Sequence, residues 1–136
     1  MGAGPNTVLD KGYKANGTAA YAAGELVAFD TAPQSMKRAT SAASAELIGV
    51  CMEDVDAAKV TTGKVFANVR RLGIARVKTG GSFAKGAKLT NDANACAVAA
   101  AAKGAFFAVA EEASTGAGQF VEALVLGYVS PADTTA

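Results

Sequence analysis

The sequence predicts an all-β fold, a single small β-barrel or sandwich, and three observations carry that prediction. Short apolar runs recur between Gly, Pro, Asn and Asp turn signals at intervals of roughly ten residues, the cadence of sandwiches and barrels. Within the runs, side chains alternate: Val65, Ala67 and Val69 share one face, Phe66, Asn68 and Arg70 the other. One plan also occurs twice. Leu47-Ile48-Gly49-Val50-Cys51-Met52 ends in Glu53-Asp54 and returns as Val65–Val69; Phe106-Phe107-Ala108-Val109-Ala110 ends in Glu111-Glu112 and returns, after a Gly-rich turn at residues 114–119, from Phe120 onward. This is a loose internal repeat of strand, acidic exit, turn and strand.

Taken in order, Met1 to Asn16 is an N-terminal arm. It is rich in Gly and charge, and has only Val8, Leu9 and Tyr13 to bury. Alone it cannot offset its ordering entropy, so it reads either as a floppy tail or as an arm that orders on a partner through those three anchors. The barrel-like domain spans residues 17–129. Its first strand is Leu26 to Phe29; Pro33 breaks it, because proline gives no donor to a ladder, and residues 36–40 return as the hairpin partner. Residues 47–52 form the next strand, and residues 54–59 suffice for one helical turn. Lys64 to Lys78 is extended with a bulge or bend at Gly73. Thr79-Gly80-Gly81-Ser82 is expected as a turn, then a turn and strand over residues 84–90 and another turn over residues 91–94. Residues 95–102 favour helix by alanine content. The flanking turns and the Cys96/Val98 alternation instead place them as extended chain. A strand over residues 121–129 closes the domain, followed by a flexible tail over residues 130–136.

With 136 residues, the chain supports one modest core, and much of its 51% hydrophobic content is alanine. Alanine buries little area, so such a core gains from neighbouring subunits. A net charge of +1 speaks against a dedicated duplex-binding protein. Cys51 and Cys96 fit free thiols in a reducing compartment, and no basic-apolar leader or membrane-length run is present.

The chain has no histidine, which removes the commonest general base and zinc ligand together. Cys51 lies in an apolar run and is expected as a core residue. The pairs Glu53-Asp54 and Glu111-Glu112 are adjacent strand residues pointing to opposite faces, and are expected as solvated strand ends. Glu53, Asp54 and Asp56 lack the spacing and glycine of a calcium loop. Neither Gly80-Gly81 nor Gly116-Ala117-Gly118 fits a phosphate loop. Arg70, Arg71, Arg76 and Lys78 form the one basic cluster; without interleaved aromatics it reads as a solvated face or a contact for an acidic protein surface. No catalytic, cofactor or metal set emerges, and no enzyme is predicted. The candidate partner-binding residues are Val8, Leu9, Tyr13, Arg70, Arg71 and Arg76.

The chain resembles the phage capsid cement, or head decoration, proteins with small β-barrel-like (β-tulip-like) domains. The resemblance rests on the order of four pieces: Tyr21-Ala22-Ala23-Gly24-Glu25-Leu26-Val27, Leu47 through Glu53, Phe83-Ala84-Lys85-Gly86-Ala87-Lys88-Leu89, and Phe107 through Val125. Ala108 departs from the pattern, which has glycine there as at Gly49. The resemblance implies a structural virion protein on the outer surface of an icosahedral capsid, assembled in a bacterial cytoplasm. Its partners would be the major capsid protein and itself, as a homotrimer, with no cofactor, nucleic acid or membrane. Two other readings stand beside it. One is a β-domain binding a glycan or host-surface ligand through Tyr13, Tyr21 and Tyr128. The other is a carrier domain modified on Lys37 of Ser35-Met36-Lys37-Arg38.

Overall fold

The computed structural model describes residues 8–42, 46–101 and 104–129. Nine strands and one short helix follow in the order β1 (Leu9–Ala15), β2 (Leu26–Phe29), β3 (Ser35–Arg38), β4 (Leu47–Cys51), α1 (Ala57–Thr61), β5 (Phe66–Phe83), β6 (Lys88–Asn91), β7 (Ala97–Ala99), β8 (Phe106–Ala110) and β9 (Ser114–Val129). The all-β prediction holds.

The strands close on themselves. β1, β3, β2, β4 and the first half of β5 form a five-stranded barrel, since β1 pairs with both β3 and β5. The second half of β5 pairs with β9 and, through a single parallel bridge between Thr79 and Ala97, with β7. With β6 and β8 this makes a second ring of five. Closure removes the free edges that invite aggregation. β5 serves both rings, and Gly73 (φ 119°) marks the changeover between its partners β1 and β9.

The two rings share one topology, and the hydrogen bonds repeat residue by residue. Glu25 N–H donates to Ala22 O and Ala87 N–H to Ala84 O, each closing a turn with a positive-φ glycine, Gly24 or Gly86, in third place. Those glycines donate to Cys51 O and Ala110 O, the last residues of β4 and β8. Met52 N–H bonds Asn68 O, and Glu111 N–H bonds Glu122 O. The repeat glimpsed in the sequence therefore extends over nearly the whole chain. In this alignment Gly49 matches Ala108 and Gly73 matches Gly127, which also has a positive φ (81°).

Two cores follow. One fills the first barrel, with Tyr13, Tyr21, Val27, Met36, Ile48 and Val69 among its residues. The other fills the second ring around Val77, Leu89, Phe107 and Val125, and also takes in Leu26, Ala28, Leu47 and Val50 from the outer face of β2 and β4. Hence β4 is buried on both faces, which explains its unbroken apolar sequence. The first barrel packs over one end of the second.

Three expectations are corrected. The arm expected over Met1 to Asn16 is, at Leu9–Ala15, a wall of the first barrel, where Tyr13 and Ala15 alternate into the core and the backbone pairs with β5. Its remainder, residues 1–7, and the expected tail of residues 130–136 lie outside the described residues. The turn expected at Thr79-Gly80-Gly81-Ser82 is strand, with Gly80 opposite Ala117 and Gly81 opposite Gly116. A side chain at Gly80 would collide with the Asp92 carboxylate, so close approach and not chain reversal requires glycine there. The Gly-rich loop expected at residues 114–119 is strand as well, since β9 already pairs with β5 from Ser114 opposite Phe83; the reversal falls on Glu111, Glu112 and Ala113.

Candidate functional site

The waist between the barrels carries the most distinctive surface. There a groove of about 360 Å³ is lined by Ala23, Gly24, Met52, Arg70, Ile74, Arg76, Phe120 and Glu122, among others. Ile74 and Phe120 are exposed at 42% and 45%, large for apolar side chains. Gly24 keeps the groove open at its side, since a Cβ there would strike the Phe120 ring.

Arg70 crosses the waist. Its Nε and Nη2 donate to the two oxygens of Asp10 at 2.8 and 3.0 Å, and Nη1 donates to Ile74 O at 2.7 Å. The Arg70 guanidinium is the main cause that holds the Asp10 carboxyl below the usual carboxylate range, and the same bond raises Arg70. Arg76 stands opposite Glu122 across β5 and β9 without an ion pair, and reaches Phe120 O at 3.4 Å. Arg71 points the other way, its guanidinium 5.5 Å from the centre of the Phe29 ring.

Of the sequence candidates, Val8 and Leu9 are exposed at 47% and 52%, and Arg70 and Arg76 share the groove. Arg71 joins a different surface. Tyr13 is no surface anchor: it is 2% exposed inside the first barrel. That burial and the equal burial of Tyr21 also remove two of the three tyrosines considered as glycan contacts. Lys37 lies within β3 opposite Ala28, away from the tip of its hairpin. Sequence reasoning missed Ile74, Phe120 and Phe29; a large apolar residue at a solvent-facing strand position was the available signal, hidden by uncertain facing.

The groups considered for chemistry are otherwise engaged. Burial pushes the Cys51 and Cys96 thiols up, away from the thiolate a nucleophile needs. The acidic pairs are more than solvated ends: Glu53 accepts from Asn68 N–H, Asp54 from Ala23 N–H and Glu112 from Glu122 N–H. Among the described residues there is no group of three or more His, Cys, Asp or Glu placed to hold a metal, and no helix long and apolar enough to cross a membrane.

No protein-family model matches the chain, and no curated protein matches it in sequence. Its structure is similar to a phage protein. The neighbour is the N base of the head fiber gp8.5 of bacteriophage phi29, with a TM-score of 0.62 and 19% identity, over 88% of this chain and 94% of that one. At that identity the likeness is one of fold, and it spans both rings.

Proposed function

We propose that this chain is a non-enzymatic structural protein of a phage head, bound to the outer surface of an icosahedral capsid and stabilising contacts between major capsid protein subunits. One observation carries the reading: nearly all of the chain shares its fold with nearly all of the base of a phage head fiber. The resemblance to capsid cement proteins at the Gly24, Gly49 and Gly86 segments points the same way. Those glycines sit at equivalent turns or at a close strand contact. The alanine-rich core and the exposed Ile74, Phe120, Val8 and Leu9 suit a protein that gains burial from neighbours. Self-association as a homotrimer belongs to this reading, as does multivalent hold on a lattice.

The test is to add purified protein to expanded, undecorated heads of the phage that encodes it. Density on the outer shell by electron microscopy and a raised disruption temperature are expected. Absence of binding at micromolar protein, or binding without a change in disruption temperature, overturns the reading. Sedimentation velocity measures the trimer.

A further inference from the structure

The shared topology of the two rings allows each position in one to be compared with its equivalent in the other. At one end of the second ring stand Ala75, Val77, Asn91 and Val125, all 4% exposed or less. The first barrel covers that end: Leu26, Ala28, Leu47 and Val50 pack into the same core, and Asn91 Nδ2 donates to the carbonyls of Ala39 and Ser41 at 3.0 and 2.8 Å.

The equivalent end of the first barrel holds Lys11, Tyr13, Phe29 and Arg71. These are matched through the registers Lys11 to Val69 and Tyr13 to Ala67 on one side, and Ala75 to Ala123 and Val77 to Val121 on the other. Here no second barrel packs over the end: Lys11 and Phe29 stay exposed, while Tyr13 is 2% exposed. Phe29 is 43% exposed, and the side chains form a stack: Lys11 Nζ lies 5.4 Å from the Tyr13 ring centre, Tyr13 and Phe29 meet edge-on at 6.3 Å, and Arg71 lies 5.5 Å from the Phe29 ring. No carboxylate of the described residues is within 4 Å of Lys11 or Arg71; Asp10 is committed to Arg70, and Asp30 to Asn16 and Thr31 N–H. The Tyr13 hydroxyl is buried without a hydrogen-bond partner.

We propose that this open end is a docking face for an acidic protein surface, which covers the first barrel as the first barrel covers the second. The cations choose the occupant. Stacking of copies head to tail would bring up the second ring's equivalent of the covering face, where Lys88 lies 5.0 Å over the Phe106 ring, and set a lysine against Lys11 and Arg71. A carboxylate-bearing partner instead pairs two cations already held in place by aromatic rings. Identifying that partner with the capsid shell rests on the function proposed above; the chemistry of the face does not.

Two measurements separate the claims. Titration of isotope-labelled protein with poly-L-glutamate, followed by NMR, is expected to shift signals of Lys11, Tyr13, Phe29 and Arg71 first, with salt reversing the effect. Shifts spread evenly over all lysines, or none, overturn the docking face. On heads, Arg71→Glu and Lys11→Glu are expected to weaken binding at least tenfold each, while Lys88→Glu changes it less than twofold; equal binding by all three overturns the capsid as the partner of this face. Clustered shifts without any binding to heads leave the docking face standing and remove the capsid as its partner. A thermal melt of each variant within a few degrees of the parent excludes misfolding as the cause.

Discussion

Glu53 and Glu112 stand at equivalent points of the two rings, and each carboxylate accepts a backbone N–H from the strand that follows, Asn68 at 2.6 Å and Glu122 at 2.8 Å. The neighbouring backbone bond is repeated too, from Met52 N–H to Asn68 O and from Glu111 N–H to Glu122 O. The acidic exit of each repeat is thus a clasp that fixes where β4 leaves β5 and where β8 leaves β9.

Removing either clasp should weaken the fold by a similar amount. Both carboxylates are solvent-exposed, so each bond is worth about 1 kcal/mol. Glu53→Ala and Glu112→Ala are expected to lower the urea midpoint comparably, and the double variant to show near-additive loss, because the two clasps share no partner. Unequal effects beyond a factor of about three would show that the repeated geometry does not carry repeated energetics.

Gly49 and Ala108 occupy matched positions but should respond unequally to exchange. A Cβ at Gly49 would run into the Arg70 carbonyl, which is backbone and cannot swing aside. Gly49→Ala should therefore push β4 off β5 and cost about 2–3 kcal/mol. Ala108 already carries a methyl with 0% exposure, and Ala108→Gly should cost only about 1 kcal/mol through chain entropy and lost packing. Chemical denaturation of both variants decides the matter.

How much of this was legible in the sequence depends on what each glycine does. Strands at Leu26–Phe29, Leu47–Cys51, Lys88–Asn91 and Phe106–Ala110 are bounded by turn residues and stood out. Gly80 reads as a turn residue because close approach and chain reversal demand the same residue, whereas Gly81 and Gly116 face each other across β5 and β9 with room for a side chain, so composition there misleads. The shared strand was hidden because β5 changes partners at Gly73 without changing its apolar alternation. Tyr13 was misplaced because a sparse arm gives no sign that a barrel has a gap of one strand for it to fill. Arg70 and Arg76 were found from charge alone, whereas Phe29, Ile74 and Phe120 required knowing which face of each strand is outward.

The Asp10–Arg70 pair ties β1 to β5, and its effect on stability should depend on pH. The native carboxyl lies below its ordinary value, so its contribution is complete above the unfolded pKa near 4 and vanishes as pH falls through the native value. With side chains 22% and 26% exposed, solvent screening limits the pair to about 1 kcal/mol. Asp10→Asn should be less stable than the parent at pH 7 and nearly equal to it at pH 2–3. Hydrogen exchange should show β1 amides, including those of Lys11 and Tyr13, opening first in the variant. A gap that persists at pH 2 would mean that the carboxylate charge is not what holds the strand.

Tyr21 offers the opposite pH signature. Burial pushes its phenol up to about 12, and the hydroxyl lies 2.6 Å from Asn16 O and 3.1 Å from Met36 O, at the point where the chain leaves β1 and where β3 passes. In the unfolded chain the same phenol ionises near 10. Below that pH both states hold the proton and nothing depends on it; between about 10 and about 12 the unfolded state releases a proton the native state keeps, so stability falls. Tyr21→Phe removes the donor and leaves the part-buried Asn16 carbonyl short of a partner, while Met36 O keeps the Asn16 N–H, a cost of about 1–2 kcal/mol at pH 8. The same change removes the ionisation, so the deficit should shrink as pH rises above 10 and the stability curves of parent and variant converge. Urea midpoints at pH 8, 10 and 11, read beside phenolate absorbance at 295 nm, test both halves. Parallel curves across that range would mean that Tyr21 ionises as readily inside the barrel as outside it.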